Sequence, residues 1–197
     1  MFRRGIFGGT FDPPHLGHIS LAKNIADALD LDVVVWVPAR RPPHKPNETI
    51  TPAAQRLAMV ELAAEEDPRF EVSEIELDPK QPPWTVFLLE RFQKRFPKDK
   101  LYLLIGGDSL AEFTTWRDYR KLWEMAEICV ALRPGWDISA VDIEILKHVR
   151  IVECPAIDIS ATDIRAKVSR GEPIEKLVPP RIAEYIHEKG LYRNRNI

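Results

Sequence analysis

Apolar positions follow two rhythms along the chain. Short runs rich in β-branched and aromatic residues recur at 6–7, 33–37, 70–75, 101–105, 128–132 and 150–152, and such runs predict strands. Between them, residues 16–29, 52–65, 84–96, 107–125 and 139–147 carry apolar side chains at helical spacing, which predicts helices. Strands that alternate with helices make βαβ units, whose strands run parallel. Val33-Val34-Val35-Trp36-Val37 has no polar alternation, as expected of a strand covered on both faces. The expected fold is therefore α/β, a doubly wound, Rossmann-like parallel sheet, with ligands at the carboxyl ends of its strands.

Composition narrows this picture only a little. The 197 residues contain no internal repeat, low-complexity stretch or linker, so one domain over residues 1–197 is expected, burying roughly 70% of the surface of the unfolded chain. With 45% hydrophobic residues, 29% charged and a formal charge of −2, nothing points to a nucleic-acid partner. The two cysteines, Cys129 and Cys154, lie in apolar contexts and read as reduced core thiols. No apolar run is long enough for a bilayer span, and the first residues lack a leader-like apolar stretch. The protein is expected in the cytoplasm, off the membrane; the sequence does not express its oligomeric state.

The chemistry concentrates just after the first strand, in Gly8-Gly9-Thr10-Phe11-Asp12-Pro13-Pro14-His15-Leu16-Gly17-His18. Glycines let the backbone approach a polyphosphate and adopt torsion angles that a Cβ forbids. His15 and His18, three apart at the start of a helix, share a face where free N–H groups attract anions. Taken alone, the glycines would also fit a tight turn. His18 would also fit the core, with Ala22, Ile25 and Leu29 following on the same face.

This segment resembles the signature of the H-x-G-H nucleotidylyltransferases, most closely the bacterial nicotinate-nucleotide adenylyltransferases. A second stretch, Ile159-Ser160-Ala161-Thr162-Asp163-Ile164-Arg165, is similar to that family's I-S-S-T-x-I-R signature, with Ala161 in place of a serine. The likeness extends over nearly the whole chain. It implies an H-x-G-H nucleotidylyltransferase fold, with His15 and His18 as catalytic residues. ATP and its phosphates would be held by Gly8, Gly9, Thr10, Phe11, His44, Lys45, Gly106, Asp108, Ser160, Thr162 and Arg165. Nicotinate mononucleotide would be held by Thr85, Trp116, Lys45 and Arg133.

Physical readings stand beside several of these. The segment 38–46 is basic and stiffened by prolines, so Arg40, Arg41, His44 and Lys45 fit either a phosphate grip or a solvated loop. Asp108 fits a ribose acceptor or a favourable charge at a helix start. Trp84 fits a core anchor. For Trp116, the ring-holding role that the resemblance implies is explained by stacking, since a flat aromatic face favours a pyridinium. Ser160 and Asp163 form a capping-box pattern, and a capped helix start is itself an anion site.

The reaction implied by the resemblance is transfer of AMP from ATP to nicotinate mononucleotide, giving the deamido dinucleotide and pyrophosphate without a covalent enzyme intermediate. Mg²⁺ would accompany ATP, bound by phosphate oxygens and water rather than by a protein cage. Related transferases acting on phosphopantetheine or on the amidated mononucleotide share the first motif. A non-catalytic nucleotide-binding module and a fragment of a class I aminoacyl-tRNA synthetase are further alternatives, though no K-M-S-K-S-like loop is found.

Overall fold

In the computed structural model, which describes residues 1–40, 50–132, 135–155 and 157–193, six parallel strands form one sheet in the order β3-β2-β1-β4-β5-β6. They are β1 (Arg3–Gly9), β2 (Val33–Pro38), β3 (Phe70–Val72), β4 (Lys100–Gly106), β5 (Glu127–Leu132) and β6 (Val149–Glu153). The helices are α1 (Leu16–Ala28), α2 (Ala53–Ala64), α3 (Thr85–Arg95), α4 (Gly107–Ala111), α5 (Tyr119–Met125), α6 (Ile143–Leu146), α7 (Ala161–Ser169) and α8 (Pro180–Glu188). The doubly wound expectation holds. Each predicted strand is found, although β3 stops at Val72 rather than reaching residue 75.

Alternate residues of the central strands enter two separate cores. Phe7, Val34, Trp36, Tyr102, Leu104 and Cys129 face the layer of α1, α2, α7 and α8. Ile6, Val33, Val35, Leu103, Ile105 and Val130 face α3, α4 and α5. A strand buried on both sides has no use for polar residues, which explains the unbroken valines of β2. Both cysteines are buried free thiols, and burial pushes the Cys129 thiol up to about 12.

Two expected helices break. The helix predicted over 107–125 becomes α4, a 3₁₀ turn at Phe113–Thr115, and α5. The Thr115 hydroxyl donates to the Glu112 carbonyl at 2.7 Å, competing with the helical ladder. Trp116 is then extended and Asp118 left-handed. The break lets Phe113, Trp116, Tyr119 and Trp123 cluster, with centroids 5.4–6.3 Å apart, and sets Trp116 at the mouth of the sheet.

The region 139–147, predicted as one helix, holds a 3₁₀ turn at Ile138–Ala140 and the four-residue α6. Each starts on an aspartate, since Asp137 accepts from the Ser139 N–H and Asp142 from the Glu144 N–H, both at 2.9 Å. Two such starts five residues apart leave no room for a continuous helix.

Candidate active site

Strand order reverses between β1 and β4, and there the strand ends open into a cleft of about 640 Å³. The loop after β1 forms its floor. Neither Gly8 nor Gly9 is left-handed; that conformation falls on Phe11, with φ 51°. Gly9 is required for space instead, because a Cβ there would lie 2.8 Å from the Phe11 ring. Phe11 itself is 2% exposed, its ring packed against Phe7, Trp36 and His18 with centroids 5.1–5.3 Å away. Its side chain is thus packed into the core beneath the cleft that Phe11 helps to line.

His15 caps α1. The His18 N–H donates to His15 Nδ1 at 3.4 Å, and the His15 N–H donates back to His18 Nδ1 at 3.2 Å. The rings stack with centroids 3.6 Å apart. Gly17 makes this possible, since a Cβ there would sit 3.0 Å from His15 Nδ1. Burial lowers His15 to about 4. His18, enclosed by Phe7, Phe11 and His15, is held well below 6.5 by burial first and by its neighbour second. The pair is uncharged at neutral pH, and the core reading of His18 gives way to a half-buried residue on the cleft.

Across the cleft stands α7. Ser160 caps it, accepting from the Asp163 N–H at 3.0 Å. The Asp163 carboxylate takes the Ser160 hydroxyl at 2.6 Å rather than returning to a backbone N–H as the capping-box pattern predicts. Arg165 donates to the Asp12 carbonyl at 2.9 Å and to Thr162 Oγ1 at 3.2 Å, tying α7 to the first loop. From β4, Gly106 and the exposed Asp108 line the same cleft. Trp136 closes that wall over Gly107, where a Cβ would lie 2.7 Å from its Nε1.

Thr85, the first residue of α3, and the half-buried Trp116 line the other end. Arg117 lies over the Trp84 ring at 5.8 Å. Glu76 also lines this end. Burial pushes its carboxyl up to about 7, outweighing Arg91 at 3.5 Å. Arg41, His44, Lys45 and Arg133 lie outside the described residues. Arg40 is exposed.

Sequence reasoning assigned no role to a buried polar group beneath the floor. Arg56 is 0% exposed and donates to three carbonyls: Thr51 at 2.9 Å, Thr10 at 2.7 Å and Arg40 at 3.0 Å. Asp12 accepts from the Thr51 N–H at 3.1 Å and the Tyr192 hydroxyl at 2.8 Å. The available signal was a charge on an apolar stripe, since Arg56 shares the buried face of α2 with Met59, Val60 and Ala63.

Two neutral donors, a helix N-terminus and an arginine facing one cleft suit a phosphate-rich ligand. Among the described residues no group of three His, Cys, Asp or Glu could hold a metal ion, and no helix is long and apolar enough to cross a membrane.

The cytidylyltransferase-like family model matches residues 6–167. A protein of Roseiflexus castenholzii named probable nicotinate-nucleotide adenylyltransferase is 41% identical, covering 97% of this chain and 98% of that one. One of the same name from Corynebacterium glutamicum is 39% identical over 97% and 88%. Among solved structures, Plasmodium falciparum nicotinic acid mononucleotide adenylyltransferase complexed with NaAD shares the fold, with a TM-score of 0.82 at 20% identity over 99% of both chains. Histidine pair, second signature and sheet thus agree with full-length likeness, and the chain belongs to the cytidylyltransferase-like family, among the nicotinate-nucleotide adenylyltransferases.

Proposed function

We propose that this enzyme transfers AMP from ATP to nicotinate mononucleotide. A 5′-phosphate oxygen attacks the α-phosphorus, a new P–O–P bond forms, the bond to the bridging oxygen of the β-phosphate breaks, and pyrophosphate leaves with its electron pair. The observation that carries this is the stacked, uncharged His15–His18 pair at the start of α1, facing Arg165 and the capped start of α7 across one cleft.

Neither substrate needs an enzyme nucleophile, so the residues act by alignment and by stabilising charge. His15 and His18 donate to the transferring phosphoryl group. Main-chain N–H groups of Gly8, Gly9, Thr10 and Phe11 approach the polyphosphate, with His44 and Lys45 as further contacts. Ser160, Thr162 and Arg165 take its far end, and Gly106 and Asp108 the ribose side. Thr85 and Trp116, with Lys45 and Arg133, hold the mononucleotide; names given to relatives support that substrate. Mg²⁺ accompanying ATP would supply charge neutralisation to the leaving pyrophosphate.

In this reading residues 1–197 act as one domain. The family match ends at residue 167, but Ile182 and Ile186 of α8 share the core of β1 and α1. Two buried free cysteines suit a reducing cytoplasm.

The test is pyrophosphate release from ATP and Mg²⁺ with nicotinate mononucleotide, nicotinamide mononucleotide or phosphopantetheine, each product identified by mass. Preferred formation of the deamido dinucleotide is expected. Release only with another acceptor would overturn the substrate, and no release with any of them would overturn the activity.

A further inference from the structure

The first and second strands end side by side at Gly9 and Pro38, and the loop after β1 and Ala39 after β2 both line the cleft. What joins them is Arg56. Its guanidinium is completely buried, and its three nitrogens each donate to a carbonyl from a different segment. Thr10 lies in the loop after β1, Arg40 in the loop after β2, and Thr51 where the chain returns to α2. Asp12 completes the frame from the first loop. Its carboxylate takes the Thr51 N–H and the hydroxyl of Tyr192, 180 residues away. Its carbonyl takes Arg165.

We propose that Arg56, braced through Asp12 by Tyr192, is a positioning residue that fixes the loop after β1 against the chain at Arg40 and Thr51 and so sets ATP alignment without touching substrate. The claim rests on the nucleotide reading of the cleft given above.

The chemistry of the guanidinium is essential to the argument. It presents donors in a rigid planar fork, so one residue can fix three carbonyls in relative position. A lysine keeps the charge but is a point donor on a flexible stem, and cannot reproduce three directions at once. The acceptors are main-chain carbonyls, so the fork fixes backbone, and backbone N–H groups are what the loop after β1 offers to phosphate. Left-handed Phe11 stands between the two gripped residues, Thr10 and Asp12. The frame therefore holds the loop on both sides of its least favourable backbone position. A shift of about 1 Å in aligned groups is enough to cost about 100-fold in rate.

The experiment compares wild type with Arg56→Lys, Arg56→Ala and Tyr192→Phe. Amide hydrogen exchange of residues 8–13 is measured without ligand, alongside steady-state constants for both substrates. Exchange at residues 8–13 should speed in Arg56→Lys and Tyr192→Phe while the buried strands β2 and β4 stay protected. In Arg56→Lys the KM for ATP should rise by about 10-fold, with that for nicotinate mononucleotide within about twofold. Methylguanidine at millimolar concentration should restore part of the rate lost in Arg56→Ala, which a general loss of stability would not allow.

Unchanged exchange at 8–13 in both Arg56→Lys and Tyr192→Phe would overturn the proposal, as would equal rises in both KM values. The exchange measurement needs no turnover. Failure of wild type to release pyrophosphate would thus count against the nucleotide reading, separately from the frame.

Discussion

His15 and His18 cap one another: each accepts the other's backbone N–H on its Nδ1. An Nδ1 that accepts carries no proton, so each neutral ring holds its proton on Nε2 and offers one fixed donor. The cap thereby selects the tautomer, and the low pKa of both rings keeps them donors without charge until an anion arrives.

Replacing His18 by Ala should lower kcat by about 10²–10³, the scale of one lost donor to a transition state, with a much smaller change in ATP affinity. Single-turnover rates measure this directly. A mutant within about twofold of wild type would remove the assigned role.

Two buried groups should tilt the stability–pH curve in opposite directions. His15 falls from 6.5 to about 4, so the unfolded chain takes up its proton first, and stability is lost as pH falls from 6.5 toward 4. Glu76 rises from 4.5 to about 7, so the folded protein keeps its proton longer, and stability is lost as pH rises from 4.5 to 7. Each contributes on the order of 3 kcal/mol across its window. Denaturant unfolding from pH 4 to 8 should show Glu76→Gln gaining on wild type as pH rises, whatever its starting value, and His15→Asn gaining as pH falls. Parallel curves for mutant and wild type would contradict the burial argument.

Gly107 and Trp136 should be coupled. A methyl group at 107 would press on the indole at 2.7 Å, so Gly107→Ala is expected to destabilise the protein. The same change in a Trp136→Ala background should cost less, by about 1 kcal/mol or more. Additive effects in unfolding free energy would show that the wall relaxes around the clash.

The sequence reading succeeded where the signal was local. The unbroken valines of β2 and the spacing of His15 and His18 carry their own explanation, because backbone period and helix-start geometry act over a few residues. It failed where the cause was distant. The expected helix over 107–125 looked continuous in its apolar spacing, and only the packing of Phe113, Trp116 and Tyr119 shows why a break there is favourable. Gly9 was read for close approach to a polyphosphate and for its torsional freedom, and the structure adds a third reason, since it yields space to a ring two residues on. Arg56 was passed over, although it is a charge on an apolar stripe; its acceptors lie as far as 46 residues away, and periodicity has no view of them.

Trp116 should govern the mononucleotide end. Trp116→Ala is expected to raise the KM for nicotinate mononucleotide by about 10-fold, and Trp116→Phe by less, through lost stacking area. The KM for ATP should hold within about twofold. Initial-rate kinetics with each substrate varied in turn would show this, and a rise in the ATP constant alone would move Trp116 to the other substrate.

The sheet order also bears on how the chain is made. β1 emerges first but ends in the middle, with one neighbour supplied from Val33 onward and the other only from Lys100. During synthesis the histidine loop therefore exists for some 60 residues beyond β2 beside a strand edge with no partner. An unpaired apolar edge of that kind invites pairing with another chain. The strand at the centre of the finished sheet is, on the ribosome, an edge in need of shielding.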